Sequence, residues 1–263
     1  MQISLSNKVA VVNGSSGGIG RAIAIGLAEL GSSVIVIARN EEKLKAVLQD
    51  LDTSQEQKHF HLVADHTNVE DLIKNLEQLI GDKGLTIEIL INNSGGPAAG
   101  DLLNEESTKI ASAMNQHLIC NHRLAQLCVP HMTSKQYGRI INILSTSVKT
   151  PLKNLGVSNS TRAAVASWGK TLSNELGSKG ITVNNILPGF TNTGRLQSLF
   201  RTWSEKQGLS LEAFTEKMEN TVPLNRIGKP EEVANAVCFL ASPAASYING
   251  VSLRVDGGRT VSI

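Results

Sequence analysis

The sequence predicts an α/β protein: one doubly wound parallel sheet of about seven strands, with helices on both faces. Short apolar runs without polar alternation recur along the chain, and helical patterns separate them. Strands of that kind are buried on both sides, as in a parallel sheet connected by right-handed helical crossovers. The 263 residues contain no internal repeat and no linker rich in Pro, Gly or Ser, so a single domain covering residues 1–263 is expected.

Residues 9–13 are a continuous buried-strand signal, followed by helical spacing over 19–30 and a stop at Gly31. Residues 34–38 and 41–51 repeat the strand–helix unit, as do 60–64 and 69–80. A strand at 87–91 leads into a long helical stretch from about 109 to 132. Residues 139–144 and 182–187 form strands around a helix at about 159–176, and 231–240 and 251–255 supply the last helix and strand. One connection breaks this rhythm. Residues 190–223 carry Phe190, Leu196, Leu199, Phe200, Trp203, Leu211, Phe214 and Met218, too much apolar surface for a loop. Two readings stand: a helical flap over a substrate, or a helical pair packed on the core.

Composition excludes several function classes. Hydrophobic residues make up 41% and charged residues 18%, which argues for a folded chain. The 25 basic and 23 acidic residues leave a net charge of +2 with no basic run, so neither nucleic acid nor a membrane surface is an expected partner. Cys120, Cys128 and Cys238 are widely spaced, none in a C-x-x-C pair, and read as apolar fillers rather than disulfides or metal ligands. No metal site is expected. Residues 1–8 carry no long apolar segment, and no stretch approaches the ~18 apolar residues of a membrane span. The expected location is a reducing cytoplasm.

The first turn reads Asn13-Gly14-Ser15-Ser16-Gly17-Gly18-Ile19-Gly20. Its glycines let the backbone turn sharply and approach a diphosphate, and the following helix points free N–H groups and a positive dipole end at the anion. A glycine turn without a ligand is the plain alternative, but its position between first strand and first helix favours a Rossmann-type dinucleotide site. The second strand ends in Ala38-Arg39. An acidic residue there would hold the adenosine ribose and repel a 2′-phosphate; Arg39 can pair with that phosphate instead, which predicts NADP(H) over NAD(H). A merely solvated Arg39 is the competing reading.

These motifs resemble a family. Gly14-x-x-x-Gly18-Ile19-Gly20, Asn92-Asn93-Ser94-Gly95, Pro188-Gly189 and Asp256-Gly257-Gly258 follow, in order, the motif series of short-chain dehydrogenase/reductases. Gly138-Arg139-Ile140-Ile141-Asn142-Ile143 and Arg226-Ile227-Gly228-Lys229-Pro230-Glu231-Glu232 are similar to the branch containing 3-oxoacyl-acyl-carrier-protein reductases. The resemblance spans essentially the whole chain. It implies a seven-stranded sheet, a nicotinamide cofactor, a small carbonyl or alcohol substrate and a homotetramer built on the two long helices. By position, Asp65 would lie beside the adenine, Asn92 and Gly95 would line the cofactor trough, and Pro188, Gly189 and Thr193 would hold the nicotinamide end.

The family's chemistry uses an asparagine, a serine, a tyrosine acid and a lysine. Ser145 matches the serine, but Ser158-x-x-x-Arg162 stands where Tyr-x-x-x-Lys is expected. The asparagine position falls on His117, or on Asn115 after a two-residue slip. A serine hydroxyl is a poor acid, and arginine can hold a ribose but is a poor proton shuttle. His117 is expected to titrate in a useful range. One working arrangement has Ser145 on the substrate oxygen, Arg162 on the cofactor, and His117 relaying a proton through Ser158 or water. Against it stand plain structural roles: Ser158 as a helix N-cap, His117 as a core or interface histidine, Ser145 as a turn residue. Lys149, Lys153, Tyr137 and Tyr247 are weaker candidates for the missing acid. The alternative function is a cofactor-binding protein without hydride transfer, a sensor or assembly partner; a lyase or isomerase has no residue-level support.

Overall fold

The computed structural model describes residues 3–262. The chain alternates strands and helices: β1 (Val9–Asn13), α1 (Gly18–Glu29), β2 (Ser33–Ala38), α2 (Glu41–Gln49), β3 (Phe60–Val63), α3 (Val69–Lys83), β4 (Ile89–Asn92) and α4 (Ser107–Met114). A π-helical turn, Asn115–Ile119, joins α4 to α5 (Cys120–Ser134). Then come β5 (Gly138–Ile143), α6 (Gly156–Leu176), β6 (Ile181–Pro188), α7 (Gly194–Gln207), α8 (Leu211–Glu219), α9 (Pro230–Ala241) and β7 (Ser252–Val255). The strands form one seven-stranded sheet in the order β3-β2-β1-β4-β5-β6-β7, with every paired neighbour parallel. The order reverses at β1, and the carboxyl ends beside that reversal are where a doubly wound sheet opens a crevice.

Each face of the sheet has its own core. Ile23 and Leu27 of α1, Leu44 and Val47 of α2, and Val233 and Val237 of α9 pack on one side with Val12, Val36 and Ile186. Leu72 and Leu76 of α3, Leu124 and Cys128 of α5, and Leu176 of α6 pack on the other with Val11, Ile35 and Ile140. The three cysteines are buried free thiols, and burial pushes each up to about 12. Local signals set the helix ends. Asn40 accepts from the Lys43 amide at 2.9 Å to cap α2, and Glu41 and Glu42 follow in its first turn. Gly84 closes α3 at φ 60°. The expected stop at Gly31 holds, at φ 94°.

The expected helix over 109–132 is continuous in space but carries the π-helical turn, which no 3.6-residue pattern reports. The helix expected from 159 begins at Gly156. Its N-cap is Leu155, so Ser158 lies inside the first turn, and the N-cap reading of that serine is corrected. Residues 190–223 are two helices, α7 and α8, whose Phe200 packs edge-on against Phe190 and Phe214, with ring centroids 5.3 and 5.4 Å apart. No helix among the described residues is long and apolar enough to cross a membrane.

A row of amides crosses the sheet near its carboxyl end. Asn92 Nδ2 donates to Asn142 Oδ1 and Asn142 Nδ2 to Asn185 Oδ1, each at 2.9 Å, and Asn185 Nδ2 donates to Ser252 Oγ at 3.2 Å. These residues are register partners on β4, β5, β6 and β7. Helix α6 lies directly over the row because residue 169 is glycine: a Cβ there would sit 2.9 Å from Asn142 Nδ2 and 3.0 Å from Asn185 Oδ1. Replacing a mid-helix glycine by alanine normally stabilises by about 1 kcal/mol. Gly169→Ala should instead destabilise by about 1–3 kcal/mol in urea unfolding, while Gly81→Ala on α3, with open space around it, should stabilise. A stabilising Gly169→Ala would refute the close approach.

Candidate active site

The glycine turn between β1 and α1 is held from two sides. Gly14 and Gly18 have φ of 60° and 54°, the left-handed region that favours glycine. A Cβ on Gly14 would lie 2.7 Å from the Asn93 carbonyl oxygen, and one on Gly20 would collide with the Gly14 carbonyl. Asn93 Nδ2 donates to the carbonyl oxygens of Asn13 (3.1 Å) and Gly14 (3.2 Å), clamping the turn from the end of β4. Ser15 is fully buried and turned inward, with both its amide and its hydroxyl on the Ile37 carbonyl. Ser16 is half-buried above it. Ile19 packs against the core below. No side chain caps α1 at Gly17 and no acidic residue occupies its first turn. The amino end of α1 is therefore an open set of N–H donors facing a backbone trough.

Thr193 stands over this turn, its Cγ2 3.1 Å from where a Cβ on Gly18 would lie. Its Oγ1 accepts from the Leu196 amide at 3.2 Å and caps α7. Pro188 ends β6, and Gly189 packs so tightly that a Cβ would lie 2.7 Å from Asp256 Cα. At the next strand ends, Arg39 is largely exposed and its Nη1 lies 3.9 Å from Asp65 Oδ2. Asp65 accepts from both the amide and hydroxyl of Thr67 at 2.9 Å. The Thr67 amide, opposed in part by burial and then helped by Arg39, holds this carboxyl below its usual range. Gly95 is exposed, with nothing near its Cα face.

Deeper in the trough, α6 presents Ser158, Arg162, Val165 and Gly169 at helical spacing on its sheet-facing side. Arg162 Nη1 donates to the carbonyl oxygens of Ile143 (3.1 Å), the last residue of β5, and Leu144 (2.8 Å), and Nε donates to Ser158 Oγ at 3.2 Å. Its Nη2 points toward Gly96. Burial, with Arg195 second, lowers the guanidinium to about 10, still a cation at neutral pH. Ser145 Oγ accepts from the Ser147 amide at 3.1 Å. Both serines thus have an oxygen lone pair engaged and a hydroxyl proton free to donate.

The π-helical turn places His117, 4% exposed, with Nδ1 2.8 Å from Ser94 Oγ, while its buried Nε2 has no partner. Asn115 instead donates to the Thr67 carbonyl at 3.3 Å, so the two-residue slip is not what the geometry supports. The expectation that His117 titrates near neutrality is corrected: burial first, then Arg162 and His66, lowers it to about 3. Lys149 and Lys153 are exposed, and Tyr247 is fully exposed. Tyr137 is bound by its hydroxyl to the Ala241 carbonyl. The Asn93 clamp and the Ser94–His117 pair were missed as roles in the sequence, although both lie in the Asn92–Gly95 motif; only the fold brings them to their partners. Arg195 tethers α7 to the loop after β4 by donating to the Pro97 carbonyl at 2.6 Å. A cavity of about 500 Å³ between them is lined by Ala98, Asn154, Arg195, Leu199, Trp203 and Lys206.

Comparison with known proteins places this geometry in context. Residues 14–260 match a family model described as enoyl-(acyl carrier protein) reductase. The chain is 34% identical over 258 residues to the 3-oxoacyl-[acyl-carrier-protein] reductase FabG of Vibrio harveyi, covering 97% of this chain and 98% of that one. It superposes with a TM-score of 0.93 and 29% identity on L-sorbose reductase from Gluconobacter frateurii, solved with NADPH and L-sorbose, over the full length of both chains. The NADPH-dependent reductase YwfH, involved in bacilysin biosynthesis, gives a TM-score of 0.92 at 30% identity, over 98% of this chain and 100% of that one.

His66, whose Nε2 lies 3.0 Å from Asn13 Oδ1, is lowered to about 4, mainly by burial. Both it and His117 are neutral in the folded chain at pH 7. The unfolded chain takes up their protons first as pH falls, so the stability is complete above about 6.5 and is lost as pH drops toward 4 and 3. The limiting loss is about 1.4 kcal/mol per pH unit for each histidine. Urea unfolding at pH 7.0 and 5.5 should show this fall, and His117→Asn should remove about half of it. An unchanged fall would mean that His117 is not held neutral.

Proposed function

The chain belongs to the short-chain dehydrogenase/reductase family, and from that membership we propose that it is an NADP(H)-dependent oxidoreductase reducing a carbonyl, a ketone or 3-oxoacyl group, to an alcohol through an altered active site. The observation that carries this reading is the uncapped amino end of α1 beneath the Gly14–Gly20 turn. It opens onto the same end of the sheet as Arg39, Ser145, Ser158, Arg162 and His117. The residues fit the dinucleotide: the glycine cradle has no room for a Cβ at Gly14 or Gly20, and the N–H donors above it are free of acid.

In this reading Gly14, Ser16, Gly18, Ile19 and Gly20 bear the diphosphate, with Ser15 shaping the turn from within. Arg39 pairs with the 2′-phosphate and Asp65 borders the adenine. Asn92, Gly95, Pro188, Gly189 and Thr193 line the remainder, and Arg162 reaches the ribose. The nicotinamide, when bound, supplies the hydride. Ser145 and Ser158 donate hydrogen bonds to the carbonyl oxygen, which takes up one proton through Ser158 as the hydride arrives, and the Arg162 guanidinium on Ser158 Oγ favours negative charge there. A neutral His117 passes a proton by accepting at one ring nitrogen while releasing at the other, with Ser94 as its fixed partner. Helices α7 and α8 act as the flap over an apolar substrate portion. The working form is a homotetramer assembled on α5 and α6, which light scattering checks.

A second reading, NADP(H) binding without hydride transfer, is favoured by one observation: His117 near 3 and Arg162 near 10 leave no group there that changes charge around neutrality. The experiment follows NADPH oxidation with a panel of ketones and 3-oxoacyl thioesters. Turnover should appear and fall by roughly 10²–10³ in Ser145→Ala. Arg39→Ala should weaken NADPH binding by about 10- to 100-fold and leave NADH binding unchanged. Tight NADPH binding without turnover, together with activity gained by Ser158→Tyr plus Arg162→Lys, would establish the second reading instead.

A further inference from the structure

We propose that the groove at the amino-terminal ends of β5 and β6 is a second ligand site, one that takes a carboxylate carried on an aromatic or apolar body. The groove has a volume of about 600 Å³ and lies at the opposite end of the sheet from the dinucleotide trough, about 20 Å away along β5. Its walls include Tyr137, Ile181, Pro243 and Tyr247, and no acidic residue lines it.

Arg139 lies at its base, 3% exposed. Nη1 donates to the Gly138 carbonyl at 2.9 Å, and the guanidinium carbon lies 4.1 Å from the centre of the Tyr137 ring. The Nε atom is buried without a partner, and no carboxylate comes within ion-pair distance of Arg139 among the described residues. The nearby acid, Glu88, is taken by the Val9 amide at 2.9 Å and by Lys8 at 3.7 Å. Thr182 is the register partner of Arg139 on β6, so the two side chains share one face of the sheet. Its hydroxyl is also buried and unpartnered.

A buried guanidinium that lacks an anion and a neighbouring hydroxyl that lacks any bond are each destabilising by themselves. Together they describe what is missing. The Nε–Nη2 edge of an arginine presents two parallel N–H bonds, a fork that matches the two oxygens of a carboxylate. Thr182 supplies a third donor. The ring of Tyr247 is fully exposed at the mouth and offers a flat apolar face with no partner of its own.

The test is isothermal titration of the full chain with sodium benzoate, using inorganic phosphate as a second probe. Wild type should bind one benzoate per chain with a dissociation constant on the order of 0.1–1 mM. Arg139→Lys, which keeps the charge and loses the fork, should abolish it. Thr182→Val and Tyr247→Ala should weaken it by about 3- to 10-fold. Tyr247→Ala changes a fully exposed side chain, so its result does not depend on the core tolerating a substitution. Arg162→Lys, at the other end of the sheet, should leave benzoate binding unchanged. Absence of saturable heat, equal affinity in wild type, Arg139→Lys and Tyr247→Ala, loss only in Arg162→Lys, or phosphate binding with no benzoate binding would each overturn the proposal.

Discussion

The distance between α6 and the sheet sets where everything at the site can stand. It is fixed by Gly169 lying against the amides of Asn142 and Asn185, where one extra carbon would meet them at about 3 Å. The amides are in turn fixed by their own row of hydrogen bonds from Asn92 to Ser252. Three side-chain amides and a hydroxyl on four adjacent strands cannot slide independently, since a one-residue slip in any strand would turn its member to the opposite face. Ser158 and Arg162 lie about three and two turns upstream of Gly169 on the same stripe. Seating the helix at Gly169 therefore brings Arg162 within hydrogen-bond reach of the Ile143 and Leu144 carbonyls.

A consistent electrostatic theme follows from that seating. Arg162 is solvated by carbonyls and a serine instead of a carboxylate, so its charge is left available to whatever enters the trough. The same charge, added to burial, keeps His117 neutral. The site is thus a set of oriented hydroxyl and N–H donors around one fixed cation. Such an arrangement can stabilise developing negative charge on an oxygen without changing its own protonation. Arg139 at the far end repeats the pattern of a buried guanidinium without an acid, there with an aromatic ring as its neighbour.

The dinucleotide end is built differently, from backbone. The tight turn at Gly14–Gly20 depends on the Asn93 side chain reaching across from β4, so the first strand–helix unit is completed by the fourth strand. Thr193, which caps α7, touches the same turn. Helix α7 is thus tied to that turn through Thr193 and to the loop after β4 through Arg195.

Strand and helix positions and the glycine turn were legible in the sequence because they are written in local terms: apolar runs, helical periodicity, and glycine or asparagine at fixed offsets. Ser145, Ser158 and Arg162 could be located by motif alone. What local pattern does not encode is which polar atom meets which. The π-helical turn that brings His117 to Ser94 adds one residue to a turn and leaves no mark in a 3.6-residue repeat. The neutral state of that histidine is a property of burial and of neighbours distant in the chain, Arg162 and His66. The start of α6 at Gly156, which moved Ser158 from a cap into the first turn, sits where Leu155 and Gly156 meet Gly100 and Leu102 of a distant loop. Sequence by itself determined the elements and the side chains each one presents. Tertiary structure decided the protonation and the pairing, because both are settled by long-range desolvation and contact.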